Sequence, residues 1–356
     1  MHTIYVRTLK RADHTVFCVS DGQKTYFDPQ FNRAIPYSSG QQVKRSIMDR
    51  LSTELNETPA PVTFLSDVTK KNEITEGEVF GTCDPSYFDQ LLGGWMKAVK
   101  DGKEKTVKRR SPFSISAMRA LHPLLAGVHK ENITFDRSGR SNNKVIVRDP
   151  KGNELSEDDI KNLLQDKDRS LVRKWIPNNK TVTGLFVQDI AIDLRRLFCV
   201  NLDPYEPEIN QKTEEKLKEN GWIETKNIFG DCLLAPIETR EKLIPAISKA
   251  IFNWQITSNQ SRTFSLMETL AVAISHNANK IASSIRGKLS EENENRAVPV
   301  IEEHLDGVDM FITLAADGYV ITNSEKADAL DLAEQNILER MEKFDYTNQL
   351  NGPGQV

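Results

Sequence analysis

The residues best suited to chemistry form a short polar turn that leads into a predicted helix. The turn supplies hydroxyls and a glycine, and the first helical turn supplies an amide and two cations: Ser38, Ser39, Gly40, Gln41, Lys44 and Arg45. Backbone N–H groups at a helix N-terminus point outward and favour an anion. The pattern predicts a phosphate-binding turn, and the open alternative is an ordinary helix cap followed by a solvated basic face.

Two further segments mix cations, hydroxyls, amides and aromatic rings, which together suit phosphates and the faces of bases. Their candidate contact residues are Arg109, Arg110, Ser111, Asn259, Gln260 and Arg262. The stretch 97–110 is strongly basic although the whole chain has a formal net charge of −4. A local basic patch on a nearly neutral body still attracts a polyanion. A charged loop without a ligand remains the alternative.

Motifs for several enzyme classes are absent from the sequence. Gly40 is followed by QQVKRS and lacks the second glycine of a phosphate-binding P-loop, and no GxGxxG, GxSxG or HExxH pattern occurs. The four cysteines form no CxxC pair, so no metal site and no cofactor are predicted. Asp189 and Asp193 are separated by four residues, and we expect Asp193 to form a salt bridge with the arginines that follow it.

Composition indicates a soluble globular protein. The 356 residues are 38% hydrophobic and 28% charged, which is enough for one large elaborated domain or two ordinary ones. No apolar run is long enough to span a bilayer, and the N-terminus lacks the apolar core of a signal peptide. We therefore expect a cytoplasmic protein.

Hydrophobic periodicity predicts strands and helices that intermix along the chain. Strands are expected at 3–9, 15–20 and 181–202, helices at 40–55, 86–100, 211–220, 236–253 and 324–344, and buried strands within 264–275 and 308–316. An exposed hairpin is expected over 130–155, followed by a helix with Ser156 as its N-cap. The order predicts an α+β sheet domain that carries polar insertions.

These pieces, in this order, resemble a known family. A first strand, SSGQQVKRSI, RRSPFSIS, a polar hairpin, FVQDIAIDLRRL and TSNQSRTFSLMETLAVAIS succeed one another over most of residues 1–320. The order resembles the Cas-seven family, the backbone subunits of type I CRISPR effector complexes (Cascade), and is closest to the type I-B group. The resemblance implies a modified RRM (ferredoxin-like) palm with a helical finger insertion and a thumb hairpin. It divides the chain into a palm at 1–55 and 181–320, a finger with a basic loop at 56–130, a thumb-like hairpin at 131–180, and a C-terminal helix and tail at 321–356.

The resemblance also implies a role. Such a subunit binds a guide RNA (crRNA), joins other copies of itself head to tail, and presents the guide bases for pairing with target DNA. Its further partners are a large subunit and Cas-five-like and Cas-six-like subunits, and it has no membrane partner. The turn and helix start would hold the guide backbone, the 109–111 loop and residues 259–262 would add contacts, and the thumb would present Lys144, Arg148 and Lys151. Aromatic residues make up only 7% of the chain and no RNP motif is present, which fits a protein that reads the RNA backbone.

Two alternative functions remain open from the sequence. The first is a metal-dependent endoribonuclease that cuts target RNA, as in type III-like backbone subunits, with Asp28 before the first helix as its catalytic residue. Asp28 precedes a proline, and we interpret it as a turn residue because no metal-ligand partner is apparent near it in sequence. The second is an unrelated α+β enzyme that acts on a small molecule.

Overall fold

The computed structural model describes residues 2–17, 23–97, 106–137, 139, 142–167, 169–256 and 264–350. The chain separates into two compact units. The first unit consists of Met1–Gly127 and Val182–Val356, and the second consists of Val128–Thr181. The second unit covers nearly the same residues as the predicted hairpin insertion at 131–180, whose role as a thumb stays a prediction.

The described part of the chain contains more strands than helices. In chain order they are β1 Thr3–Thr15, β2 Thr25–Asp28, β3 Arg33–Ser38, β4 Val62–Leu65, β5 Glu78–Gly81, β6 Trp95–Lys97, β7 Val107–Arg109, β8 Phe113–Ile115, β9 Met118–Ala120, β10 Ala126–Asp136, β11 Arg173–Asp193, β12 Cys199–Asn201, β13 Ile223–Asn227, β14 Gly230–Leu234, β15 Thr269–Ser275, β16 Ile285–Leu289, β17 Ala297–Ile301, β18 Asp309–Thr313 and β19 Glu325–Lys326.

Eight α-helices and one 3-10 helix lie within the same described ranges. They are α1 Gly40–Leu55, α2 Phe88–Gly93, α3 Glu157–Leu164, α4 Leu194–Leu197, α5 Gln211–Glu219, α6 Ile237–Asn253, α7 Ala278–Ser284, α8 Ala329–Glu342 and the 3-10 turn Leu314–Ala316. The mixture of helices with one large sheet is consistent with the predicted α+β class. Among these described helices, none combines the length and the apolar character needed to cross a membrane.

The largest sheet has ten strands in the described part of the chain. Its path runs β19-β18-β15-β1-β11-β9-β3-β2, and β8 and β10 also pair with β11. β1 pairs antiparallel with β11 from Thr3↔Asp193 to Ala12↔Gly184, and antiparallel with β15 on its other side. Four smaller sheets are formed by β12-β14-β13, β16-β17, β4-β5 and β6-β7. β1 therefore lies at the centre of the fold.

One face of the sheet packs against a layer of helices. Val43, Ile47 and Leu51 recur at helical spacing along α1 and are buried, so that this helix has one apolar face. α1 packs against α6, and α6 packs against α8. β3 ends at Ser38, Ser39 is the N-cap and Gly40 is the first residue of α1, so the sheet fixes where this helix begins.

The other face of the central strands is covered by a later part of the chain. Leu9 of β1 and Ala271 and Ala273 of β15 belong to one buried cluster with Ile281 of α7 and Ile285 of β16. The central strands therefore have both faces buried. A nucleic acid cannot lie across the middle of this sheet as it does on an open four-stranded RRM sheet.

Four sequence expectations need correction. The strand expected over 181–202 ends at Asp193, because α4 separates β11 from β12. In place of separate strands at 3–9 and 15–20, β1 runs from Thr3 to Thr15 with an irregularity between Ala12 and Thr15; residues 16 and 17 form no strand, and residues 18–22 lie outside the described part. The helix expected over 86–100 ends at Gly93 and is followed by β6, because Gly94 adopts a positive φ of 71° that an α-helix does not allow. The hairpin expected over 130–155 does not form as such, because β10 pairs with β11 and the segment near 144–147 forms no strand.

The remaining predicted helices are confirmed. α1 spans 40–55 as predicted, α5 and α6 lie within a residue of their predicted limits, and α8 begins five residues later than expected. Ser156 caps α3 by accepting a hydrogen bond from the backbone N–H of Asp159 at 3.2 Å. These elements were predictable because their capping and spacing signals are local.

Candidate nucleic-acid interface

The N-terminus of α1 is built by a tight approach to a neighbouring strand. Ser39 is the N-cap, and its Oγ accepts the backbone N–H of Gln42 at 3.3 Å. A Cβ on Gly40 would lie 2.8 Å from the carbonyl oxygen of Ile115, so a larger residue would push the two elements apart. Ser38 is buried, and within the described residues its Oγ has no hydrogen-bond partner. The predicted turn is therefore a true cap held against β8.

Lys44 points inward and joins the two motifs that the sequence singled out. Its Nζ donates to the carbonyl oxygen of Gly93 at 2.6 Å and to the Oγ of Ser111 at 3.0 Å. Burial lowers the pKa of Lys44. Among the described residues no carboxylate forms an ion pair with this ammonium group. The helix start and the 109–111 segment thus form one site, and it carries a positive charge without a counter-charge.

The 109–111 segment is fixed by the glycine that ends α2. Gly94 has a φ of 71°, and a Cβ there would lie 2.5 Å from the carbonyl oxygen of Arg109 and 2.8 Å from the backbone nitrogen of Ser111. The Ser111 hydroxyl also has two backbone carbonyl oxygens within reach for its single proton, those of Leu92 at 3.0 Å and Phe113 at 2.6 Å. This close backbone contact places Ser111 within reach of Lys44.

Arg109 does not face a ligand, which corrects the prediction that it contacts RNA. Its side chain is fully buried, and it pairs with Glu208 at 2.8 Å. Its other N–H groups donate to the carbonyl oxygens of Leu91 at 3.2 Å, Cys199 at 2.6 Å and Arg196 at 2.8 Å. A guanidinium with these partners holds together four parts of the chain. Its role is therefore structural.

Arg110 and Arg196 are further cations of the site, of which Arg110 is exposed and Arg196 is mostly buried. Arg110 is exposed and forms no ion pair within the described chain. Arg196 stacks on Phe229 at 3.6 Å from the ring centroid and shares Glu208 with Arg109, its Nη1 lying 3.4 Å from the carboxylate. Burial lowers the pKa of Arg196 despite the opposing carboxylate of Glu208, and the positive charges of Arg109 and Arg110 lower it further. Arg109 and Arg196 share Glu208, Arg195 pairs with Asp193, and Arg110 forms no ion pair in the described chain, so four arginines face two carboxylates here.

The other predicted residues on α1 lie at its surface. Gln41 is exposed, and Arg45 is exposed over 75% of its side chain. Arg45 Nε lies 3.0 Å from Asp49 Oδ1 one turn along the helix. An exposed pair of this kind is weak and does not prevent Arg45 from meeting a phosphate.

The remaining predicted contacts lie elsewhere. Lys144, Arg148 and Lys151 are exposed in the second unit, where the Asp149 carboxylate accepts the backbone N–H groups of Lys151 and Asn153 at 2.8 Å and closes the turn. Asn259, Gln260 and Arg262 lie outside the described residues. Their predicted roles stay predictions.

The predicted carboxylate residues have structural partners. Asp28 Oδ1 accepts the backbone N–H of Phe31 at 3.0 Å and closes the turn after β2. Asp193 caps α4 and pairs with Arg195 at 2.8 Å, which confirms the expected salt bridge. Across the described ranges, no group of three or more His, Cys, Asp or Glu side chains could hold a metal ion.

Sequence reasoning missed two cations. Arg196 was assigned only to a salt bridge with Asp193, and its stacking on Phe229 involves a loop 33 residues away, which no local pattern shows. Arg119 pairs with Asp189 at 3.1 Å and keeps 41% of its side chain exposed. A single arginine within the apolar stretch Ser116–Ala120 was the available signal for it.

Comparison with known proteins gives only distant structural likeness. No protein-family model and no curated protein matches the chain. One similar chain belongs to a CRISPR RNA-guided surveillance complex in a pre-nicking state, with a TM-score of 0.45 and 8% identity, covering 96% of this chain and 88% of that one. Another belongs to a CRISPR RNA-guided surveillance complex, with a TM-score of 0.38 and 10% identity, covering 96% of this chain and 84% of that one.

Proposed function

We propose that this chain is a non-catalytic, cytoplasmic RNA-binding subunit that assembles head to tail along the guide RNA of a CRISPR effector complex. The single observation that carries the RNA-binding part is Lys44, an ammonium group without a carboxylate partner in the described chain, held between Gly93 and Ser111 beside the N-terminus of α1. A helix N-terminus and an uncompensated cation both favour an anion. The guide-RNA role follows from the resemblance of the ordered motifs to the Cas-seven family.

The strand order supports an RRM-like palm. β15, β1, β11 and β9 are neighbours in that order, α1 lies between β1 and β9 in sequence, and α6 lies between β11 and β15. This is the order of a β-α-β-β-α-β ferredoxin-like unit into which other segments have been inserted.

The covered sheet supports a protein that reads the RNA backbone. α7 and β16 occupy the face where a typical RRM stacks bases on its central strands. The cations near α1 are therefore the better place for a guide strand. Contacts to phosphates leave base edges free to pair with a target strand.

RNA binding by the full chain tests the proposal. We expect fluorescence anisotropy with a labelled single-stranded RNA of about 30 nucleotides to give binding that weakens steeply with salt and differs little between sequences. The double variant Lys44→Ala/Arg45→Ala should weaken binding equally for all sequences. The salt slope, which is the slope of log K against log salt concentration, should fall in magnitude by roughly one to two. Lys218→Ala is the matched control, because Lys218 lies on α5 and pairs with Glu214 and Glu224.

Several outcomes would contradict the proposal. RNA binding that is absent, or unchanged in the double variant, would remove the central site. Head-to-tail assembly predicts a ladder of sizes on RNA in mass photometry, because contacts of this kind do not close. A single closed oligomer without RNA would favour the small-molecule enzyme. Magnesium-dependent RNA cleavage that is lost in Asp28→Asn would favour the ribonuclease.

A further inference from the structure

An exposed aromatic and basic patch lies on the sheet edge, away from the Lys44 site. We define the edge patch as Lys24, Tyr26, Arg33, Tyr37 and Arg119. We propose that the edge patch is a second contact site for single-stranded nucleic acid, in which a base stacks on Tyr26 while Arg119 and its neighbouring cations meet the phosphates. The proposal rests on the proposed RNA-binding function and adds a base-contacting subsite to it.

Strand pairing brings these side chains onto one face. Tyr37 of β3 pairs with Arg119 of β9, and Tyr26 of β2 pairs with Ile35 of β3. Residues paired across antiparallel strands lie on the same face, and so do residues two apart in one strand. The backbone N–H of Tyr37 donates to the Lys24 carbonyl oxygen at 3.2 Å, which brings Lys24 alongside. The patch thus spans three strands on one face, where Ile35, the partner of Tyr26, is fully buried.

The aromatic part of the patch is available for stacking. Tyr26 is 42% exposed on β2, the last strand at this edge of the sheet. Its ring contacts Tyr37 edge to face, with centroids 5.9 Å apart and planes at 66°. The contact supports one side of the ring. A phenol ring held in this way offers its remaining surface to a base at little cost in side-chain entropy.

The cations of the patch have unused hydrogen-bonding capacity. Arg119 donates one N–H to Asp189 Oδ2 at 3.1 Å, whereas Arg7 binds both oxygens of Asp189, at 2.6 and 3.1 Å. Because Arg7 neutralises that carboxylate, Arg119 keeps most of its five donors and its charge for another partner. Within the described chain, Lys24 and Arg33 form no ion pair.

The charge of the patch favours a polyanion over an apolar protein surface. The acidic residues beside the patch are Asp28, which lies opposite Arg33 in the β2–β3 ladder, and Asp189, which Arg7 and Arg119 share. One of its oxygens is held by the backbone of Phe31. Burial and Asp28 raise the pKa of Tyr26 while Arg119 lowers it, which indicates that both charged groups lie near the phenol. Lys24, Arg33 and Arg119 beside Asp28, with Asp189 bound by Arg7, leave a positive charge next to two tyrosines, which suits a nucleotide chain.

A pair of tyrosine variants tests stacking. The probe is a fluorescein-labelled oligouridylate of about 30 nucleotides, bound to the full chain and followed by anisotropy at several salt concentrations. We expect Tyr26→Ala to weaken binding about tenfold, since stacking on an aromatic residue contributes at that level, and Tyr26→Phe to retain the affinity. The control is Tyr205→Ala, because Tyr205 is 88% exposed and lies outside the strands that form the patch. Arg119→Gln should lower the salt slope by about one.

The outcomes separate this inference from the proposed function. If Tyr26→Ala binds the oligouridylate as tightly as the wild type does, the edge patch is not an RNA contact. The proposed RNA binding near Lys44 would not be affected by that result. A wild-type chain that does not bind the oligouridylate would overturn both. If Tyr26→Ala reduces self-association in mass photometry but not RNA affinity, the patch is a protein contact and the inference is wrong. Crosslinking of 4-thiouridine RNA to Tyr26 would support it directly.

Discussion

Lys10 and Trp254 are both buried in the helix-covered side of the sheet, and the Lys10 Nζ lies 4.9 Å from the centroid of the Trp254 ring. The same Nζ donates to Thr269 Oγ1 at 2.8 Å and to the carbonyl oxygen of Phe252 at 3.4 Å. No carboxylate in the described residues forms an ion pair with it. Burial therefore lowers the pKa of Lys10 to about 7.

This buried amine predicts a stability that rises with pH. The unfolded chain holds the proton up to a pKa of about 10.4, whereas the folded chain releases it near pH 7. Between these values the unfolded state binds more protons, so the free energy of unfolding increases by up to about 1.4 kcal/mol per pH unit. Urea unfolding at pH 7, 8 and 9 should give this slope for the wild type and a flatter one for Lys10→Met. If the free energy of unfolding depends on pH equally in the wild type and in Lys10→Met, the lowered pKa of Lys10 is wrong.

Replacing each of two adjacent arginines should change stability by very different amounts. Arg109→Ala leaves Glu208 buried without its closest partner and removes three bonds to carbonyl oxygens, so we expect a loss of about 3–5 kcal/mol. Arg110→Ala removes the same charge from an exposed position and should change stability by about 0.5 kcal/mol or less. Chemical denaturation of both variants makes the comparison. Equal losses would mean that Arg109 is not the anchor described here.

Gly94 predicts a backbone effect on the Lys44 site. Gly94→Ala forces a side chain into a region that only glycine adopts easily and brings its Cβ within 2.5 Å of the Arg109 carbonyl oxygen. We expect a loss of stability of about 2–4 kcal/mol, from strain together with the overlap. Gly318→Ala is the control, because a Cβ there meets nothing within 4 Å. If the two variants have the same Tm, the strain assigned to a side chain at position 94 is wrong.

The uncompensated charge of Lys44 predicts stabilisation by a small anion. Inorganic phosphate should raise the Tm by roughly 2 °C more than chloride at equal ionic strength, because an anion that binds only the folded state stabilises it. Lys44→Met should remove most of this difference. General salting effects of phosphate act on both proteins alike and cancel in the comparison. A difference that persists in Lys44→Met would assign the effect to another part of the surface.

The sequence predicted the elements that depend on local signals. α1 follows from the Ser39 cap and the apolar spacing of Val43, Ile47 and Leu51, and the Asp193–Arg195 pair follows from two residues of separation. The cap at the start of α1 was also recognisable, because its residue types are adjacent in the chain, whereas phosphate binding there stays a prediction.

Long-range contacts account for what the sequence did not predict. Lys44 meets Gly93 and Ser111, which are 49 and 67 residues away, and Arg109 meets Glu208 at a separation of 99 residues. Arg109 and Arg110 have the same residue type, and only the fold buries one and exposes the other. A basic doublet in sequence therefore predicts charge but not which charge reaches the solvent.

The sharing of carboxylates between arginines has a practical consequence for handling the protein. Asp189 forms ion pairs with both Arg7 and Arg119, and Glu208 forms ion pairs with both Arg109 and Arg196. The surface near these pairs is therefore positively charged although the chain has a formal net charge of −4. The negative net charge alone predicts binding to an anion-exchange resin. We expect the folded chain to be retained by heparin as well, and to lose that retention on unfolding, when the clustered charges separate.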